Sequence, residues 1–144
     1  MFGLEYGPNY RFTAAAIVDT AVRVVRRNSL EYVAATDVQV ARDLLNMTAK
    51  TLKNAEDHLL VLGRKLALER VATFLLEMDK RLARTGMIAL PMSRVDIADY
   101  LGLTLETVSR ALSHLRDQGV LEFSETSQRE IVLRSRERLQ KLDS

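Results

Sequence analysis

Between Pro91 and Phe123 the chain reads PMSRVDIADYLGLTLETVSRALSHLRDQGVLEF, and this stretch restricts the fold more than any other. Ser93 and Asp96 form an S-x-x-D helix start: the hydroxyl accepts an otherwise unpaired backbone amide, and the carboxylate lies at the positive helix end. The helix predicted from Arg94 to about Leu101 buries Ile97, Ala98 and Leu101, and at barely two turns it is stable only against a neighbour. Gly102 frees the backbone for a sharp turn, Leu103 plugs it, and Thr104 caps a second helix over 105–118. That helix carries Val108, Ala111, Leu112 and Leu115 on one face and Glu106, Ser109, Arg110 and Ser113 on the other, and Gly119 closes it. VLEF, a polar SETSQR turn and EIVLR then read as a hairpin, with RERLQKL as a closing helix. Two short helices at a glycine turn followed by a hairpin make the plan of a winged helix-turn-helix.

Such a motif presents the second helix to the major groove of DNA, where side chains of its first two turns reach base edges. Arg110 offers two parallel donors to guanine O6 and N7. Glu106, one turn earlier, can accept from cytosine N4 and hold Arg110, and Ser109 is short enough to approach a base or its methyl. Ser93, Arg94, Thr104, Thr107, Ser113 and His114 sit at helix starts or on the helix flank, where they suit phosphates. Alone, Glu106 and Arg110 would be an exposed i,i+4 ion pair worth about 0.2–0.5 kcal/mol; the turn and spacing around them favour base reading. Bulk charge does not make this argument. The chain has a net charge of +2, and from Thr85 onward eight basic residues face nine acidic ones. Placement of a few side chains must supply the binding.

Upstream, Val38, Ala41, Leu45, Thr48, Leu52, Ala55, Leu59 and Leu62 recur at alternating spacings of three and four, an unbroken a/d seam. A helix over 36–62 can either pack this stripe within its own domain or pair it with a second copy as a parallel coiled coil. Ala41, Thr48 and Ala55 would bring two helices close but bury little area, so such a dimer needs further contacts. Gly63 followed by Arg64-Lys65 reads as a helix end and a hinge, and a second amphipathic helix spans about Lys65 to Arg84. MIALPM forms a brief strand. Before all this, FTAAAIVDT and AVRVVRR read as short strands and LEYVAATD as a short helix. The fold class is therefore mainly α with small β elements (α+β), organised as 1–35, 36–62 and 63–144.

No cysteine is present, which removes disulfides, thiolate metal sites and cysteine nucleophiles, and no apolar run approaches the roughly 20 residues that span a bilayer. The expectation is a cytoplasmic protein without membrane contact. His58 and His114 have no nucleophile or carboxylate at catalytic spacing, and no phosphate loop or H-E-x-x-H motif occurs, so no enzyme, metal or cofactor is expected.

The segment DIADYLGLTLETVSRALSHLRDQGVLEF closely resembles the helix-turn-helix of the Crp/Fnr superfamily of bacterial transcription regulators. The E-x-x-S-R at Glu106, Ser109 and Arg110 is similar to its Fnr and FixK branches. LALERVATFLLEM resembles the family's first DNA-domain helix, the seam helix its dimerisation helix, and FGLEYG with FTAAAIVDTAVRVVRR the last part of its effector-sensing β-roll. The resemblance implies a remnant of the β-roll in 1–35, a dimerisation helix in 36–62 and a winged helix-turn-helix DNA-binding domain in 63–144. It implies a homodimer on double-stranded DNA reading a TTGAT…ATCAA pseudo-palindrome, with RNA polymerase as partner through the turn at Arg84 to Met87. About a hundred β-roll residues of the family pattern have no counterpart here. Where cyclic-nucleotide-binding members have Arg-Ser, this chain has Arg11-Phe12, so no cyclic nucleotide is expected, and without cysteines no iron–sulfur cluster. That is the FixK-like case. The alternative is a truncated dimerisation partner that antagonises a full-length relative.

Overall fold

The computed structural model describes residues 13–82, 87–125 and 127–143. Among these residues six helices and three strands follow in order: α1 Arg27–Thr36, α2 Val38–Arg64, α3 Ala67–Leu82, β1 Met87–Ala89, α4 Arg94–Leu101, α5 Leu105–Asp117, β2 Leu121–Phe123, β3 Glu130–Leu133 and α6 Arg136–Asp143. The chain divides into two compact units at Asp57/His58, a point within α2.

In the first unit, Asp37 ends one helix and starts the next. Its amide donates to Val33 O at 2.8 Å, and its carboxylate accepts from the Gln39 and Val40 amides at 2.8 and 3.3 Å. This is N-capping by a short acceptor, placed where the sequence starts the long helix. The strands expected between Phe12 and Arg27 are not there: residues 13–26 carry no strand, and the ten-residue α1 begins at Arg27. Alternating valines favour a pleated surface, but a strand exists only if a neighbour takes its backbone amides and carbonyls. FGLEYG and Arg11-Phe12 lie outside the described residues. Nor does Gly63 end α2. The helix runs through it to Arg64, because a glycine inside a helix costs only about 1 kcal/mol and stops nothing by itself. The break comes at Lys65-Leu66, where Glu69 reaches back to accept the Leu66 amide at 2.8 Å and starts α3.

The second unit holds one apolar core in which α3 gives Val71, Phe74, Leu75 and Met78, α4 gives Ile97 and Leu101, and α5 gives Val108, Leu112 and Leu115. A three-stranded antiparallel sheet, ordered β1-β3-β2, closes it with Ile88, Leu121 and Ile131. Ile88 and Phe123 both pair with Ile131. The β2–β3 hairpin is the wing. α6 lies on α3 through Leu139 and a double hydrogen bond from Arg136 to Asp79 at 2.7 and 2.8 Å, and its Asp143 pairs at 2.6 Å with Lys65, two residues before α3. Among the described residues no helix is long and apolar enough to cross a membrane.

Candidate nucleic-acid interface

The α4–turn–α5 geometry follows from the caps. Ser93 Oγ accepts the Asp96 amide at 3.2 Å while donating to the Asp96 carboxylate at 2.6 Å, and the same carboxylate accepts the Ser93 amide at 2.8 Å. These bonds hold the Asp96 carboxyl below its ordinary range, the Ser93 hydroxyl contributing most and the Ser93 amide next. At the other end Gly102 is left-handed, φ 59° and ψ 40°. Its amide and that of Leu103 close a two-bond helix stop on Asp99 O and Ala98 O, at 3.3 and 2.9 Å. A side chain there would meet no serious obstruction, so the requirement for glycine is conformational. Thr104 Oγ1 then accepts the Thr107 amide at 3.1 Å and α5 begins. It ends by the same device, with Gly119 at φ 68° and the Gly119 and Val120 amides on Arg116 O and Leu115 O.

With Val108, Ala111, Leu112 and Leu115 buried, the opposite face of α5 is fixed outward. Glu106 Oε1 and Arg110 Nη2 lie 2.6 Å apart there, their side chains 72% and 79% exposed. Glu106, Ser109, Arg110, Ser113, His114 and Asp117 line one shallow depression along the helix. The three residues expected to read bases thus stand together with two of those expected to touch phosphates, and Thr104 and Thr107 join them at the helix start, their hydroxyls 2.9 Å apart.

Other expectations meet closer company than foreseen. Ser93 is committed to its cap. Arg94 is half-buried, its guanidinium carbon 5.4 Å from the centroid of the Phe123 ring and Nη1 3.5 Å from Ser109 Oγ. His114 shares a 2.9 Å hydrogen bond with Gln118. His58 is half-buried and stacks on Tyr100 with centroids 4.2 Å apart. On the wing, Arg134 pairs with Glu122. Local sequence missed three features: Phe123 as a partner for Arg94; Arg70, which donates to Leu62 O, Lys65 O and Leu101 O at 2.8, 3.0 and 3.1 Å; and Leu105, 48% exposed beside Glu106. Only Leu105 had a readable signal, an apolar residue directly after the cap. Among the described residues no cluster of side chains could hold a metal ion.

A capped short helix, a left-handed glycine turn, an outward polar helix and a hairpin beside it define a winged helix-turn-helix head. Residues 69–142 match the Crp-like helix-turn-helix domain family. The nitrogen fixation regulation protein FixK of Azorhizobium caulinodans is 44% identical over 99% of this chain and 59% of its own length. FixK of Rhizobium meliloti is 40% identical over 84% of this chain and 54% of its own. The structure of FixK2 from Bradyrhizobium japonicum superposes with a TM-score of 0.92 at 67% identity, covering 99% of this chain and 71% of that one. The chain belongs to the Crp/Fnr family of transcription regulators, in its FixK-like branch. It spans a little over half the length of these two curated relatives.

Proposed function

We propose that this chain acts as a homodimeric, sequence-specific DNA-binding regulator of transcription, reading a TTGAT…ATCAA pseudo-palindrome with α5. The observation that carries the reading is the outward face of that helix. A carboxylate and a guanidinium stand exposed, with a half-buried hydroxyl beside them, within two turns of a firmly capped N-terminus, and the apolar side is wholly consumed by the core.

In the major groove Arg110 donates to guanine O6 and N7, Glu106 orients it and accepts from cytosine N4, and Ser109 contacts a neighbouring base. Exposed Leu105 suits a thymine methyl. Thr104, Thr107, Ser113 and His114 take phosphates, while Ser93 and Arg94 act through their partners within the head. The seam supports the dimer: Val38, Leu45, Leu52 and Leu59 are each more than half exposed, and Ala41, Thr48, Ala55 and Leu62 continue the same stripe. A single copy leaves this apolar surface in water, and a second copy laid along it removes that cost. The working organisation is then 36–62 as the dimerisation helix, 63–144 as the reading domain and 1–35 as the β-roll side of the chain. RNA polymerase as partner, activation rather than repression and a cytoplasmic location complete the proposal, which names no enzyme activity, cofactor, metal or cyclic nucleotide.

The test is a binding titration on a TTGAT-type palindrome against random DNA. Arg110→Ala should lose about 1–3 kcal/mol on the palindrome and relax preference at one base pair. Equal losses on palindrome and random DNA would remove Arg110 from the base-reading set.

A further inference from the structure

Arg94 stands where a free phosphate-binding cation is expected, yet its surroundings are those of a held side chain. From α4 it reaches both the wing, where its guanidinium lies over the Phe123 ring at 5.4 Å, and α5, where Nη1 lies 3.5 Å from Ser109 Oγ. All three residues are half-buried. We propose that Arg94 is a positioning residue that sets the direction of the Ser109 hydroxyl, so that Ser109 offers its proton rather than its lone pairs to the base edge. The inference rests on the reading of α5 as the base-reading helix.

The chemistry follows from the donor inventory. A guanidinium only donates, whereas a serine hydroxyl has one proton and two acceptor lone pairs. With Arg94 on the acceptor side, the Ser109 proton turns away from the cation and remains free to donate. At 3.5 Å the contact lies at the outer limit of a hydrogen bond, so it orients the hydroxyl by charge more than it binds it. The π face of Phe123 keeps the cation from swinging out to solvent. Ser109 then favours base edges that present acceptors, such as guanine O6 or N7, adenine N7 or thymine O4, over the amino group of cytosine. The wing thereby takes part in specificity without touching a base.

The experiment measures binding of the full chain to the palindrome with the base pair facing Ser109 varied through all four identities, that pair having been located with Ser109→Ala. The wild type should favour acceptor-presenting edges. Arg94→Met and Phe123→Leu should shrink that discrimination about two- to tenfold, the effect of one ordinary hydrogen bond, and leave the Arg110 base pair as selective as before. Phe123→Tyr keeps a π face and should keep the discrimination, and thermal unfolding followed by circular dichroism verifies each variant's fold. Three results would overturn the proposal: uniform weakening in Arg94→Met with discrimination intact, unaltered discrimination in Phe123→Leu, or no base pair that responds to Ser109→Ala. Wild-type protein that bound all sequences alike would instead remove the DNA-reading function itself.

Discussion

Single carboxylates set the acid limit of this fold. Arg136 donates twice to Asp79, and this pairing lowers the Asp79 carboxyl beneath its usual value near 3.8. Burial pushes Asp143 up, but hydrogen bonds from Lys65 and Thr73, with the charges of Lys65 and Lys80, outweigh it and leave the group below that value as well. Asp96 is lowered by its Ser93 cap. A carboxyl whose folded-state pKa lies below its unfolded value adds stability that is fully present above the unfolded value and is lost as pH falls through the folded one. Stability to urea should therefore be level at neutral pH and decline below about pH 4. In Asp79→Asn the acid-dependent part of that decline should shrink, and a pH profile identical to that of the wild type would remove Asp79 from the account.

At the scale of elements, the helix-turn-helix head was legible because its signals are local. The Ser93–Asp96 spacing, Gly102 followed by Leu103, and Thr104 before an amphipathic run each specify a helix boundary within three or four residues, and α4, α5 and the wing stand where these signals put them. What failed depended on distant partners. Valines in 13–26 have the composition of strands, but pairing is decided by whatever lies alongside. Gly63 looked like a terminus, although α2 gains more by continuing than one glycine costs. Arg70 was invisible as a joint: its three acceptors are brought together only when the end of α2 and the end of α4 meet beside α3. Carbonyls at helix ends lack internal partners, and a half-buried guanidinium serves three at once. Arg70→Met should cost about 1–3 kcal/mol in denaturant unfolding. A change within the roughly 0.5 kcal/mol typical of surface substitutions would contradict that role.

For the whole molecule, the proposed DNA binding rests on geometry more than on charge. A net charge of +2 on 144 residues gives weak general attraction to DNA, and of the wing's arginines Arg134 is already paired with Glu122. On the proposed reading, selectivity comes from two copies of the same small polar face held at a fixed separation, which makes the seam as necessary as α5. Half-sites read by a two-fold dimer lie about one helical turn, roughly 10 base pairs, apart on one side of the duplex. The decisive measurement compares binding of the full chain to a TTGAT…ATCAA palindrome with binding to the same half-sites pushed about five base pairs further apart, half a turn of the helix. The displaced site should bind little better than a single half-site, because the second head then faces the wrong side of the DNA. Equal affinity for both spacings would contradict dimeric reading through α5.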